Sequence, residues 1–300
     1  MKCIGTLSTI QQIQRFSNEL AVELSLVYDI DTLNLMSDTN ATIINLTNIS
    51  FAYPGGATIF ENFSWEVKRG ELWAVIGSSG CGKSTLLYLI AGLRQPTNGQ
   101  LLVNNRPIIR PRPKTGLILQ DYGLLPWATV WDNAALGLDI RRFYGPDGKH
   151  VPKDELFTDK EQRVNYWLER LGIDHIAQQY PNQISGGQRQ RTAIARTLAL
   201  NPDLLLMDEP FGALDALTRE NLQGLTLELR AERNLTTLIV THNIDEAVFM
   251  GQKILVLTQP PTTEAIVVEN PQAGTPGYRQ RDEFFTRCKE LRGMLGEPIL

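Results

Sequence analysis

Short apolar runs that alternate with helix-length segments, on either side of one long helical stretch, predict an α/β fold. The sheet is expected to be mostly parallel and to carry an inserted α-helical subdomain. Two observations support this. Residues 72–76, 204–207, 235–240 and 254–257 are apolar almost throughout and too short for buried helices, as in strands covered on both faces. Residues 121–196, by contrast, read mostly as helix, with elements at 131–138, 161–171 and 188–200.

The remaining elements follow in order. Within 1–41, Ile10, Ile13, Phe16, Leu20 and Leu24 recur at helical spacing and a polar stretch follows, giving a short helix and linker. Met36 is a second candidate start. Ile43, Ile44, Leu46, Ile49 and Phe51 begin the strand pattern, with further strands at 63–67, 101–103 and 117–119. A helix is expected at 83–93 and another at 217–233. The main unit runs over 42–258. Residues 259–277, rich in Pro, Thr and Gly, read as a linker to a last amphipathic helix near 281–294.

Composition narrows the function classes. The 300 residues are 42% apolar and 21% charged, with a net charge of -4, which is the balance of a water-soluble chain. Such acidity argues against a protein that neutralises nucleic-acid phosphates, so no nucleic-acid partner is expected. The best apolar run, 86–93, falls well short of the roughly 18 residues a spanning helix needs. Cys3, Cys81 and Cys288 are too scattered for a disulfide framework or a zinc site, and a reducing cytoplasm fits them. Gln11, Gln12, Gln14, Arg15 and Asn18 interrupt any secretory h-region. His150 and His175 have no metal-ligand companions, and the 141–159 stretch, with Gly145, Pro146, Gly148 and Pro152, reads as a surface loop.

Three motifs carry chemistry. Gly77-Ser78-Ser79-Gly80-Cys81-Gly82-Lys83-Ser84, followed by Thr85, matches a phosphate-binding loop between a strand and a helix. Glycines let several backbone N–H groups converge on phosphate oxygens, the helix adds the positive end of its dipole, Lys83 adds a point charge, and Ser84 offers a hydroxyl to Mg²⁺. Cys81, at the helix end, has two readings: a thiol of lowered pKa, open to alkylation and shielded by ATP, or a small residue that lends only its backbone. The run 204–207 ends in Asp208 and Glu209, where a buried strand delivers one carboxylate to a metal and leaves the other to act on water. Ile184-Ser185-Gly186-Gly187-Gln188 is a second anion site at a helix start, without a lysine. The arginines behind it, Arg189, Arg191 and Arg196, are expected to serve packing and ion pairing.

In the order and spacing of these motifs the sequence resembles the ATPase subunits of ABC transporters over nearly all of 42–257. The signature is 184–188, with Ile184 where Leu is usual. Asp208-Glu209-Pro210 matches the Walker B motif, Ala213-Leu214-Asp215 the D-loop, Gln120 the Q-loop and His242 the switch histidine. Tyr53 stands where the family stacks adenine on an aromatic ring. The resemblance implies a P-loop NTPase with a RecA-like mixed/parallel sheet core, N-terminal antiparallel β strands and an inserted α-helical subdomain. It implies ATP and Mg²⁺ as ligands, with Ser84, Gln120 and Asp208 at the metal. Glu209 is then the base or water-positioner, His242 the γ-phosphate contact and Gln120 the sensor of metal and water. It also implies a dimer, a homodimer ahead of a heterodimer, that sandwiches two ATPs, each between the phosphate loop of one subunit and 185–188 of the other.

Residues 120–127 and 130–133, with Asp215-Ala216-Leu217-Thr218-Arg219, resemble the nitrate/sulfonate/taurine group of bacterial importers. What this implies is uptake of a small anion or sulfonate-like solute through separate permease subunits, with an extracytoplasmic solute-binding protein upstream and the chain held at the cytoplasmic face of the membrane. A soluble ABC ATPase outside transport is the alternative reading, as is an importer motor for another small solute. Leu125-Pro126-Trp127 beside Gln120 offers an aromatic knob that a permease helix could receive.

Overall fold

Eleven residues of alternating burial, β1 (Thr42–Ala52), pair antiparallel with β2 (Thr58–Lys68). The alternation is that of strands with one face on a core. β4 (Asn98–Val103) joins the other edge of β1, and β5 (Arg106–Pro107) follows it. A second sheet is built from β3 (Leu72–Gly77), β6 (Thr115–Ile118), β7 (Leu204–Asp208), β8 (Thr236–Val240), β9 (Lys253–Leu257) and β10 (Ile266–Glu269), in the order β10-β9-β3-β8-β7-β6. Its first five strands in that order after β10 run parallel. β3, β7 and β8 are buried at every residue, which explains their mostly apolar sequence; the exceptions are Thr236, Thr237 and Asp208.

This computed structural model describes residues 41–155 and 159–296; the helix expected within 10–24 and the start at Met36 lie outside them. The chain divides into two units, Met1–Ala41 and Thr42–Leu300. In the second, α1 (Lys83–Ile90) inserts Leu86, Leu87, Leu89 and Ile90 between the two sheets, against Ile44, Phe63, Leu206 and Val240. The opposite face of the parallel sheet continues into a helical layer of α2 (Val130–Tyr144), α3 (Lys160–Arg170) and α4 (Gly186–Leu198). Their Ala134, Leu138, Val164, Trp167 and Ile194 share one core with Ile118, Leu205 and Met207 of the strands. α5 (Ala216–Arg233) and α6 (Ile244–Met250) complete the crossovers.

Two stretches depart from the sequence reading. Within 259–277, expected as linker, β10 pairs antiparallel with β9, Ile266 opposite Val256 and Glu269 opposite Lys253. Four residues with Val268 alone buried carry too little periodicity to announce an edge strand. α7 (Asp282–Leu295) then packs Phe284, Cys288 and Leu291 on Ile76, Val248 and Ile254. In the expected surface loop, residues 141–144 are the last turn of α2. Arg141 is buried and pairs with Glu155 at 2.6 Å, and Glu155 also takes Arg163 at 2.6 Å.

One buried side chain ties the helical layer to the loop before it. Asn133 Nδ2 donates to the carbonyls of Leu125, Ala128 and Thr129, and its Oδ1 accepts from Leu125 N at 2.8 Å. The capping box of Thr129 and Asp132 fixes the same turn from outside. Trp127, between these anchors, is held 74% exposed. Truncating Asn133 strands buried backbone groups, which cost about 1–3 kcal/mol when unpaired. Asn133→Ala is therefore expected to lose about 2 kcal/mol or more in urea unfolding; a midpoint unchanged from the natural chain contradicts this anchoring role.

Candidate active site

β3 ends at Gly77 and α1 begins at Lys83, so the five-residue turn between them sits at the carboxyl edge of the parallel sheet. Gly82 precedes the helix at φ 103°, and a Cβ there would lie 2.4 Å from Ile59 Cγ2; both conformation and space require glycine. Lys83 Nζ arches back over the turn and donates to the carbonyls of Gly77 at 2.8 Å and Ser78 at 3.0 Å. Ser79 and Gly80 form the exposed crest. Gln259 Nε2 reaches in from the segment after β9 and donates to Ser78 Oγ at 3.0 Å.

Cys81 corrects an expectation. Its side chain is fully buried, and burial raises the thiol pKa in spite of nearby Lys83. The helix-end argument for a lowered pKa fails because the thiol turns inward, into the apolar layer with Phe60 and Leu257, away from the phosphate-facing amides. On the outer side, Thr85 Oγ1 and the Tyr53 hydroxyl lie 3.2 Å apart, so the half-buried Tyr53 ring stands at the mouth of the turn. Phe51 supports it edge-on at 5.0 Å.

β7 lies two strands from β3, beyond β8, and brings its carboxyl end to the same edge. Ser84 Oγ donates to Asp208 Oδ1 at 3.0 Å, and the Tyr88 hydroxyl points to Oδ2 at 3.4 Å. Burial, joined by the neighbouring Glu209 charge, pushes the Asp208 carboxyl above its ordinary pKa against the hydrogen bond from Ser84. A buried carboxylate and a hydroxyl converging at this distance are hard oxygen donors of the kind that hold Mg²⁺, and a divalent cation between them would reverse the raised pKa. The donor set fits that metal.

Glu209 follows in a left-handed conformation, φ 47°, its N–H donating to Val240 O at 2.8 Å. That turn directs the carboxylate out of the sheet edge. Its Oε2 accepts from Gln120 Nε2 at 3.2 Å and lies 3.1 Å from His242 Nδ1. Gln120 comes from the end of β6 and His242 from the end of β8, so three loops meet on one oxygen.

Ser185 caps α4: its Oγ accepts from Gln188 N at 3.3 Å while Gln188 Oε1 accepts from Ser185 N at 2.9 Å. Gly187 faces Thr218, whose Cγ2 a Cβ would meet at 2.5 Å. Arg189 donates to Ile184 O at 2.8 Å, Arg191 to Leu171 O and Arg196 to the carbonyls of Tyr122 and Gly123, which makes all three arginines packing ties. Among the described residues, no hydrogen bond joins 185–188 to the phosphate loop. The structure thus brings Tyr53, 77–85, Gln120, Asp208, Glu209 and His242 together, while 185–188 stand at the start of α4.

Two polar contacts escaped sequence reasoning. Tyr88 is four residues after Ser84, one helical turn along the same face, and that spacing could have revealed it. Gln259 lies in a segment without periodicity, and nothing local marks it. No group of His, Cys, Asp or Glu among the described residues forms an all-protein metal cluster elsewhere.

The ABC transporter family model matches residues 60–212. The nitrate import ATP-binding protein NrtC of Synechococcus elongatus is 42% identical over 237 residues, which are 78% of this chain and 34% of that protein; the chain spans about a third of its length. The aliphatic sulfonates import ATP-binding protein SsuB of Bacillus cereus is 40% identical over 216 residues, 72% of this chain and 80% of that one. Among solved structures, the ATP-binding cassette MJ0796, a dimer in a post-hydrolysis state bound to ADP and Pi, superposes with a TM-score of 0.64 at 30% identity, covering 76% of this chain and 98% of that one.

The buried thiol gives a direct check on the turn. With Cys3 and Cys288 replaced by alanine, Cys81 in the folded chain is expected to resist a maleimide at pH 7.5 for an hour and to react fully in denaturant. Rapid labelling of the folded chain contradicts the inward placement.

Proposed function

The chain belongs to the ABC transporter family, and on that premise we propose that it is the ATP-binding and ATP-hydrolysing subunit of a bacterial importer. It drives uptake of a small anion or sulfonate-like solute, of the nitrate/sulfonate/taurine type, through separate permease subunits. The observation that carries this is the convergence of Gln120 and His242 on Glu209 Oε2 beside the Ser84–Asp208 pair. The import roles in the names of NrtC and SsuB support the direction and the class of solute.

The residues divide the work as follows. Tyr53 stacks on adenine. The N–H groups of the 78–84 turn and the start of α1 receive the phosphates, and Lys83 exchanges the Gly77 and Ser78 carbonyls for the outer phosphate oxygens. Ser84 and Asp208, with Gln120 from the adjoining loop, hold Mg²⁺, which when bound neutralises phosphate charge. Glu209 orients a water for in-line attack on the γ-phosphorus and takes its proton, while the bond from that phosphorus to the bridging oxygen of ADP breaks. His242 contacts the γ-phosphate and holds Glu209 in position.

The capped helix start at 185–188, which makes no hydrogen bond to the phosphate loop among the described residues, is available to a second subunit. Ser185 and Gln188 of the partner subunit close the open face of the nucleotide, and because each copy has a full set, a homodimer has two working sites. The dimeric state of MJ0796 supports this arrangement. Permease subunits dock at the exposed Trp127 on its Asn133-anchored loop, and a solute-binding protein acts through them. No helix among the described residues is long and apolar enough to cross a membrane, in keeping with a motor held at the cytoplasmic face by its permease.

Two substitutions test the reading. Glu209→Gln is expected to keep ATP affinity within a few-fold, to lose at least about 100-fold in turnover as expected for a general base, and to favour an ATP-dependent dimer in gel filtration; near-normal hydrolysis contradicts the assignment. Trp127→Ala is expected to leave ATPase activity of the isolated chain intact and to abolish coupled uptake in vesicles that carry the permease, whereas unchanged uptake removes Trp127 from the docking surface.

A further inference from the structure

Behind the active site lies a buried carboxyl that the chemistry above does not use. Glu246, on α6 one turn after His242, is 4% exposed. Its Oε2 accepts from Gln223 Nε2 at 3.2 Å, and its Oε1 is buried without a well-formed hydrogen bond. A buried acid is costly to keep, more so when half of it is unsatisfied. Its surroundings show what it could do.

Four groups face it, two from the turn after β8 and two from α5. Thr241, immediately before His242, anchors the turn to the sheet by donating its N–H to Val75 O at 3.1 Å. Its hydroxyl oxygen accepts from Asn243 N at 3.0 Å, which leaves the hydroxyl hydrogen to be donated to Glu246. His242 and Arg219 act on Glu246 through their charge. Arg219 in turn donates to the carbonyls of Phe211 at 3.3 Å and Leu214 at 2.7 Å, and so holds the turn that follows Glu209. Gln223 extends the connection outward: its Oε1 accepts from Arg279, which pairs with Glu220 at 3.0 Å and lies 3.8 Å from the Phe249 ring centroid. Arg279 belongs to the segment between β10 and α7, so a continuous polar chain runs from the terminal segment to the histidine turn.

We propose that Glu246 is a positioning residue for hydrolysis: ionised, it accepts from Gln223, draws the Thr241 hydroxyl and holds the His242 and 211–215 turns in register, and protonated, it releases them. This rests on the ATPase reading of the site. Burial raises the Glu246 carboxyl to about 7, with Thr241, Gln223, Arg219 and His242 opposing the rise, so the change of state falls within the ordinary working range. The ionised form predominates above that pH. Turnover should therefore rise as pH increases through about 7.

The stability consequence has the opposite sign. An acid whose pKa is raised on folding contributes stability below its unfolded pKa, and that contribution is lost as pH rises through the folded value. Glu246 thus weakens the fold in the state that serves turnover, the pattern expected of a group retained for function.

The experiment uses the full chain and reads MgATP hydrolysis from pH 5.5 to 8.5, with melting temperatures alongside. The natural chain should show an acid limb in kcat near pH 7. In Glu246→Gln that limb should vanish: kcat at pH 8 falls at least fivefold, KM for ATP stays within twofold, and the variant melts higher than the natural chain at pH 8 but equally at pH 5. Gln223→Leu, which removes a donor to the carboxylate, should move the limb to higher pH while keeping the plateau, and it carries the test if Glu246→Gln does not fold. A limb unmoved in both variants, or a uniform loss of rate and stability at every pH, overturns the proposal. Absence of hydrolysis by the natural chain overturns the ATPase reading along with it, an outcome distinct from active enzyme with an unmoved limb.

Discussion

One carboxylate oxygen, Glu209 Oε2, receives hydrogen-bonding groups from two other loops, Gln120 at 3.2 Å and His242 at 3.1 Å. The rest of the structure can be understood as the support this meeting point requires. Glu209 is aimed by a left-handed backbone that residues with a Cβ seldom adopt, and the N–H to Val240 O is the bond that holds it there. That bond exists because β7 and β8 are neighbours in register, Asp208 opposite Val240. The parallel order β3-β8-β7-β6 then brings the phosphate loop, both acids, the histidine and the glutamine to one edge.

Support of this kind is rigid on one side and adjustable on the other. Asp208 and Lys83 are buried, Asp208 at the end of a strand covered on both faces and Lys83 at the start of the helix between the two sheets. Gln120 and His242 are exposed and stand on turns, as groups must that change partners when substrate arrives. Arg196 clamps the carbonyls of Tyr122 and Gly123 just beyond Gln120, so movement of the helical layer and movement of Gln120 are mechanically linked. On the other flank, Arg219 and Glu246 provide the corresponding link for the turns at 211–215 and 241–243.

Much of this was legible in the chain, for a physical reason. Phosphate loops need glycine where the backbone is left-handed and crowded, as at Gly82, and lysine and hydroxyl residues at fixed offsets, so their chemistry is written in contiguous positions. The same holds for an apolar strand ending in Asp208 and Glu209. What remained hidden depends on distant segments or on burial. The inward turn of Cys81 cannot be inferred from its place at a helix end. β10 is an edge strand whose pairing comes from β9 rather than from its own pattern. Glu246, Gln223 and Arg279 lie 23 and 56 residues apart in sequence and meet only through packing.

The central claim is that Gln120, Glu209 and His242 act as one unit through a shared oxygen. A double-mutant cycle in ATP turnover tests this most directly, with Gln120→Ala, His242→Ala and the double variant compared under saturating MgATP. Residues that act together are strongly non-additive, so each single substitution should remove most of the activity and the double should be within about threefold of the slower single. Losses that multiply independently would contradict a shared role for Glu209 Oε2.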